Sequence, residues 1–171
     1  MIQRAIFLFF ITFLMACGAK RDPNLTYFDK PEDYNDYIIT EQMAVFEVFD
    51  EFISLIENGS IDETNNLLNK VHTRAKEASD KMNKLADYKE NTEFRESGKA
   101  LFDFYVTQCK TDLKEMVDLF AKDTLMTEAD HQRIDEIANA FDKKEAEYNQ
   151  ILITTQEAFA RKFHLELVDD K

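Results

Sequence analysis

Residues 60–85 read SIDETNNLLNKVHTRAKEASDKMNKL, and their spacing decides the fold. Leu68, Val71, Ala75, Ala78, Met82 and Leu85 follow one another in alternating steps of three and four. Such a rhythm places all six on one helical stripe, the seam of a left-handed bundle with packing near +20°. Ser60 and Glu63 stand at the spacing of a capping box, which starts the helix at Ile61. Two alanines at mid-seam let a neighbouring helix approach closely. The periodicity predicts a helix over roughly Ile61 to Tyr88.

Working outward, the same reading predicts three more helices. One runs from Pro31 to about Glu57, with the stripe Tyr34, Ile38, Val45, Val48, Phe49, Phe52, Leu55 and Ile56. Asp29 and Glu32 are spaced as its capping box, and Gly59 suits a left-handed C-terminal cap. Another runs unbroken from Glu93 to Lys122, with Phe94, Leu101, Phe102, Tyr105, Cys109, Leu113, Met116, Leu119 and Phe120 on its stripe. Gly98 falls on that stripe, where a tight helix contact is expected. The last, from Glu128 to Leu165, is capped by Thr127 and Asp130 and would be about 57 Å long, so that it overhangs its partners or bends. Only three Gly and two Pro occur in 171 residues, so little interrupts these segments. Short joins make consecutive helices antiparallel neighbours. The expected fold is all-α: an up-down-up-down four-helix bundle over residues 31–171, its acidic tail frayed.

The first seventeen residues have a different character. Arg4 precedes an apolar run from Ala5 to Ala16, and Leu14-Met15-Ala16-Cys17 closes it. Twelve residues of helix reach about 18 Å, short of a roughly 30 Å hydrocarbon core. The segment is therefore read as a cleaved signal and not as a permanent span. Leu14-Met15-Ala16-Cys17 resembles the lipobox of bacterial lipoproteins. The resemblance implies cleavage before Cys17, lipidation of its thiol, and anchoring without spanning. Residues 17–30 would then be the lipidated cysteine and a polar tether. Gly18, and not Asp, after the cysteine implies passage to the outer membrane. Lys20-Arg21-Asp22 resembles a basic-then-acidic tag for export to the cell surface.

Cleavage would remove one basic residue, leaving 20 basic against 34 acidic residues, a net charge of −14. Nucleic acid and anionic lipid both require clustered Lys and Arg, so neither is an expected partner of the body. With Cys17 lipidated, Cys109 is a lone thiol, and on its apolar stripe it is expected to behave as a small buried hydrophobe.

Chemistry-bearing residues are sparse. Glu128-x-x-His131 has the spacing of half a di-iron bundle site, but no second copy exists; His72 and His164 follow Asn69 and Arg161 at that spacing. No Gly-x-Ser-x-Gly, His-Glu-x-x-His, phosphate loop or Cys-x-x-Cys-His occurs. No catalytic residue, metal or cofactor is expected. The polar residues on the stripes are the remaining candidates: Gln42, Tyr105, Gln108, Glu145 and Tyr148. A buried carboxylate at 145 requires a partner among them. They form either a register-fixing layer or a small polar pocket.

Pro31-Glu32-Asp33-Tyr34-Asn35-Asp36-Tyr37-Ile38-Ile39 is similar to the start of the first helix in an uncharacterised family of lipidated, all-helical bacterial surface proteins. The resemblance implies fold and location, with no activity to carry over. The expected function is that of a non-enzymatic envelope lipoprotein that offers a helical bundle to a protein partner. The alternative is a small-ligand or metal carrier built on the polar layer.

Overall fold

A computed structural model describes residues 21–167. The expected signal peptide, the lipidated Cys17, the start of the tether and the tail from Val168 lie outside the described residues. The helices are α1 Pro31–Ile56, α2 Ile61–Lys84, α3 Glu93–Gln108, α4 Asp112–Phe120 and α5 Glu128–Phe163, with a short 3-10 turn at Asp123–Leu125. They form an all-α four-helix bundle in which α3 and α4 together make the third leg.

Side-chain pairs give the directions. Tyr34 meets Tyr88 near one end of α1, while Glu41 meets Arg74 further along, so α1 and α2 run antiparallel. Ser79 bonds Asp103, and Arg95 reaches back to the carbonyl of Met82, so α2 and α3 are antiparallel too. Phe94 lies on Phe159 and Phe104 on Tyr148, which reverses α5 against α3. Every turn of the alternating topology follows from a short join.

The seam of α2 is buried as its spacing requires: Val71, Ala75, Ala78 and Met82 are wholly enclosed. Ser60 opens the helix with both capping-box bonds, its Oγ accepting from the Glu63 N–H at 3.3 Å and its own N–H donating to Glu63 Oε2 at 3.1 Å. Thr127 and Asp130 repeat the device at α5. Gly98 is where it must be, since a Cβ there would stand 3.2 Å from Ile38 Cγ2. Large buried side chains such as Phe52, Phe94, Phe102 and Phe159 each contribute roughly 1.5–3 kcal/mol of burial.

Six expectations need correction. Asp29 does not cap α1; Lys30 is the cap residue and offers no side-chain bond, while the Asp29 carboxylate is held by Arg21 at 2.6 Å. Gly59 is not left-handed. Its need is space, because a Cβ would lie 2.7 Å from the Leu55 carbonyl oxygen. The helix expected from Glu93 to Lys122 breaks at Cys109–Thr111, where Thr111 leaves helical geometry at φ −120° and ψ −100°. Thr107 and Thr111 turn their hydroxyls back onto the carbonyls of Asp103 and Thr107, a bonding pattern that bends helices. With α3 and α4 in series, α5 is matched along its length and does not overhang. Arg133 in its second turn binds Glu115 of α4 through two 2.8 Å bonds.

The last two corrections concern the end of α2 and the tether. That helix stops at Lys84 because Leu85 turns extended beside Thr26. The Thr26 N–H donates to the Lys84 carbonyl at 2.7 Å, and the Ala86 N–H donates to the Thr26 carbonyl at 2.9 Å. Phe28 then packs 5.2 Å from the Tyr37 ring. From Asp22 onward the supposed tether is part of the folded body.

Candidate functional site

The five polar candidates separate into two groups, one toward the α1 flank of α5 and one in a groove at its α3 flank. Tyr105 is fully enclosed among Phe46, Phe49 and Phe141, and its hydroxyl donates to Glu145. Glu145 itself is half-buried. Burial raises its carboxyl above the usual range, the Tyr105 hydrogen bond pulls it back, and nearby Asp142 and Asp50 push it up again. Burial also raises the Tyr105 phenol, and the Glu145 carboxylate adds to that rise. Gln42 joins neither residue. It donates to Asn149 at 3.3 Å, one turn along α5 from Glu145, while Asn35 accepts from Gln156 two turns further on. These contacts line the seam between α1 and α5.

Gln108 and Tyr148 belong to the other side. They line a surface groove of about 690 Å³ between α3 and α5, together with Phe104, Asp103, Lys144 and Ile151. The Tyr148 ring stacks on Phe104 at 5.0 Å. Gln108 is 6% exposed, and its Oε1 has no hydrogen-bond partner among the described residues. The expected single layer of five residues is therefore not assembled: Tyr105 and Glu145 pair, Gln42 lies beside them, and Gln108 and Tyr148 face elsewhere. Cys109 is buried, and burial pushes its thiol up to about 12, which keeps it protonated and unreactive at neutral pH.

The best-organised polar cluster was not among the candidates. Glu41 of α1 is 5% exposed and accepts from Arg74 at 2.6 Å and from Lys81 at 2.7 Å, both on α2. The signal was present: Glu41 lies three residues after Ile38 and four before Val45, in strict seam phase. Arg74 and Lys81 are seven apart and flank Ala75 and Ala78, so their charges straddle the contact. The cations keep partial access to water, at 20% and 44% side-chain exposure, which limits the desolvation cost of the trio. Ser97 and Thr155 add a further bond of 2.6 Å between α3 and α5.

These arrangements are structural in chemistry. Each buried donor or acceptor in the Glu41 and Tyr105 groups is used by another side chain of the bundle, which fixes register. Among the described residues, no cluster of three or more His, Cys, Asp or Glu side chains is placed to hold a metal ion. None of those helices is long and apolar enough to cross a membrane. No protein-family model, curated protein or solved structure matches the chain.

Proposed function

We propose that the protein is a non-enzymatic envelope lipoprotein, held by lipid on Cys17 at the outer membrane or cell surface, whose acidic bundle serves protein–protein interaction. The observation that carries this reading is Leu14-Met15-Ala16-Cys17 at the end of a short apolar run. Two or more acyl chains on that cysteine would hold the chain stably on a bilayer. Because the chain is folded from Asp22 onward, only residues 18–21 separate the lipid from the body, a reach of about 14 Å when extended. The resemblance of Pro31 to Ile39 to lipidated helical surface proteins points the same way.

The test is metabolic labelling with palmitate combined with envelope fractionation. Label in the outer-membrane fraction that disappears with Cys17→Ala supports the reading. Unlabelled protein, or an unchanged distribution of the variant, refutes the anchor. Surface protease treatment of intact cells then decides which leaflet displays the bundle.

A second reading, a carrier of a small polar ligand, draws on Gln108. Its unpartnered amide oxygen beside the α3–α5 groove could receive a donor from a bound molecule. Native mass spectrometry of the intact chain purified without chelators tests it: a single apo mass counts against a tightly held ligand.

A further inference from the structure

The outer side of α1 combines two properties that no other helix of the bundle shares. Ile39, Met43, Phe46, Asp50 and Ile53 recur in steps of four and three, so they form one stripe about 21 Å long. Met43 is 61% exposed and Ile53 44%; Ile39 and Phe46 are half-buried, resting on the core, with Phe46 6.0 Å from the Tyr105 ring. Ile153 of α5, 44% exposed, lies at the same seam near Ile39. The stripe is thus an apolar strip with a backed floor, and not scattered surface residues.

The second property is charge. All 26 residues of α1 include no Lys, Arg or His, yet Glu32, Asp33, Asp36, Glu47, Asp50 and Glu51 are exposed on it. Among the described residues none of these six acids has an ion-pair partner. Each of the other four helices has at least one paired acid: Asp80 pairs with Lys76, Asp103 with Lys99, Asp118 with Lys114 and Asp130 with Lys122. Across the seam α5 adds Asp142 and Glu145, close enough to Asp50 for their charges to be felt at Glu145. The α3–α5 groove is different, since Lys144 and Glu147 both border it.

We propose that the outward face of α1, with the adjoining edge of α5, docks a cationic amphipathic helix of a partner protein. The proposal rests on the protein-interaction reading above and specifies its surface and its partner. A helix laid on the strip would bury leucine-like anchors at i, i+3/i+4 and i+7 against Ile39, Met43, Phe46 and Ile53. Its Lys or Arg residues would meet Asp36 and Asp50, supplying the cations that α1 lacks. Complementary charge sets approach rate and excludes wrong partners. A second copy would bring acid against acid, and an anionic lipid surface would be repelled for the same reason.

The test titrates the intact purified chain with three synthetic 18-residue peptides: an amphipathic Leu/Lys helix, its scrambled isomer, and the matching Leu/Glu helix. The Leu/Lys helix is expected to bind, more weakly as salt rises, and the other two to bind at least about tenfold more weakly. Met43→Ala with Ile53→Ala is expected to cost about tenfold, and Asp36→Asn with Asp50→Asn to weaken binding and flatten its salt dependence. Ile151→Ala with Glu147→Gln, in the α3–α5 groove, is expected to change affinity less than about twofold. Circular dichroism confirms that each variant is folded. Equal binding of the scrambled peptide, equal loss from the Ile151 variant, or no binding at all overturns the proposal. So does concentration-dependent dimerisation abolished by the Met43 variant, which would make a second copy the occupant. Photo-crosslinkers at positions 43 and 151 in cells separate this proposal from its foundation. Capture of an envelope protein from 151 and not 43 sinks the α1 surface and leaves the interaction reading intact; capture from neither sinks both.

Discussion

On one side of α1 the buried carboxylate of Glu41 is met by two cations from α2; on the other, Asp50, Asp142 and Glu145 stand together, and among the described residues no Lys or Arg is paired to them. The backbones differ in the same sense. α1 and α2 pack closely over Ala75 and Ala78, whereas α1 and α5 approach less closely and meet through rings and amides: Tyr34 on Phe159, Gln42 on Asn149, Phe49 on Phe141. A single helix therefore has a closed flank, where charge and volume are matched within the chain, and an open flank, where they are not. The closed flank explains the fold. The open flank is where an external partner has something to supply.

Removing the apolar anchor of the open flank should have the largest effect. Phe159 is fully enclosed against Tyr34, Tyr88, Phe94 and Phe163. Phe159→Ala is expected to cost about 3–5 kcal/mol in urea unfolding. A loss under about 1 kcal/mol would mean that α5 is held by its polar contacts instead.

Overfilling the closed flank comes next. Ala75→Leu is expected to cost about 1–3 kcal/mol, since added methylenes must displace α1. A neutral result would show that α1 and α2 can separate as freely as α1 and α5. Breaking the trio itself should cost less. Arg74→Ala leaves Glu41 with Lys81 and partial access to water, so a loss of about 1 kcal/mol is expected after discounting for screening. A cycle with Lys81→Ala measures how far the two cations substitute for each other.

Glu145 gives the smallest and most diagnostic effect, because its sign depends on pH. Its carboxyl is raised in the folded state, chiefly by burial, so the folded chain holds that proton more tightly than the unfolded one. The stability this contributes is full at pH below the ordinary carboxylate value and is lost as pH rises through the raised one. Glu145→Gln keeps an acceptor for the Tyr105 hydroxyl and never ionises. The variant should match the parent in thermal melts at acid pH and equal or exceed it at pH 7. A variant less stable at pH 7 would show that the Tyr105–carboxylate bond outweighs desolvation, making the open flank as well satisfied as the closed one.

Spacing and local chemistry were enough for the all-α class, four legs, the capping boxes at Ser60 and Thr127, and the tight contact at Gly98. Each depends on side chains a few residues apart, where a helical period or a cap repeats in the chain itself. Glu41 shows where that reasoning fails. In sequence it is one acid among many on α1, and its seam phase competes with Gln42 next door. Only the approach of Arg74 and Lys81, more than thirty residues away, makes its burial tolerable. The break at Cys109–Thr111 is similar: the apolar stripe continues through it, so periodicity alone sees one helix.

The Leu14-Met15-Ala16-Cys17 stretch, which the proposed function reads as a lipidation signal, and the helical pattern that follows are properties of neighbouring residues, and the chain carries them in any conformation. Which charges are neutralised, which apolar residues stay outside, and whether residues 22–30 hang free or join the body are properties of distant ones. Thr26 bonds Lys84 and Ala86, residues some sixty positions away, and that pairing coincides with the end of α2. Among the described residues Asp36 and Asp50 have no ion-pair partner, while the bundle brings Arg74 and Lys81 of α2 to Glu41 on the other flank of α1. Coulomb and packing energies act across space, so those outcomes were decided only when the helices were brought together.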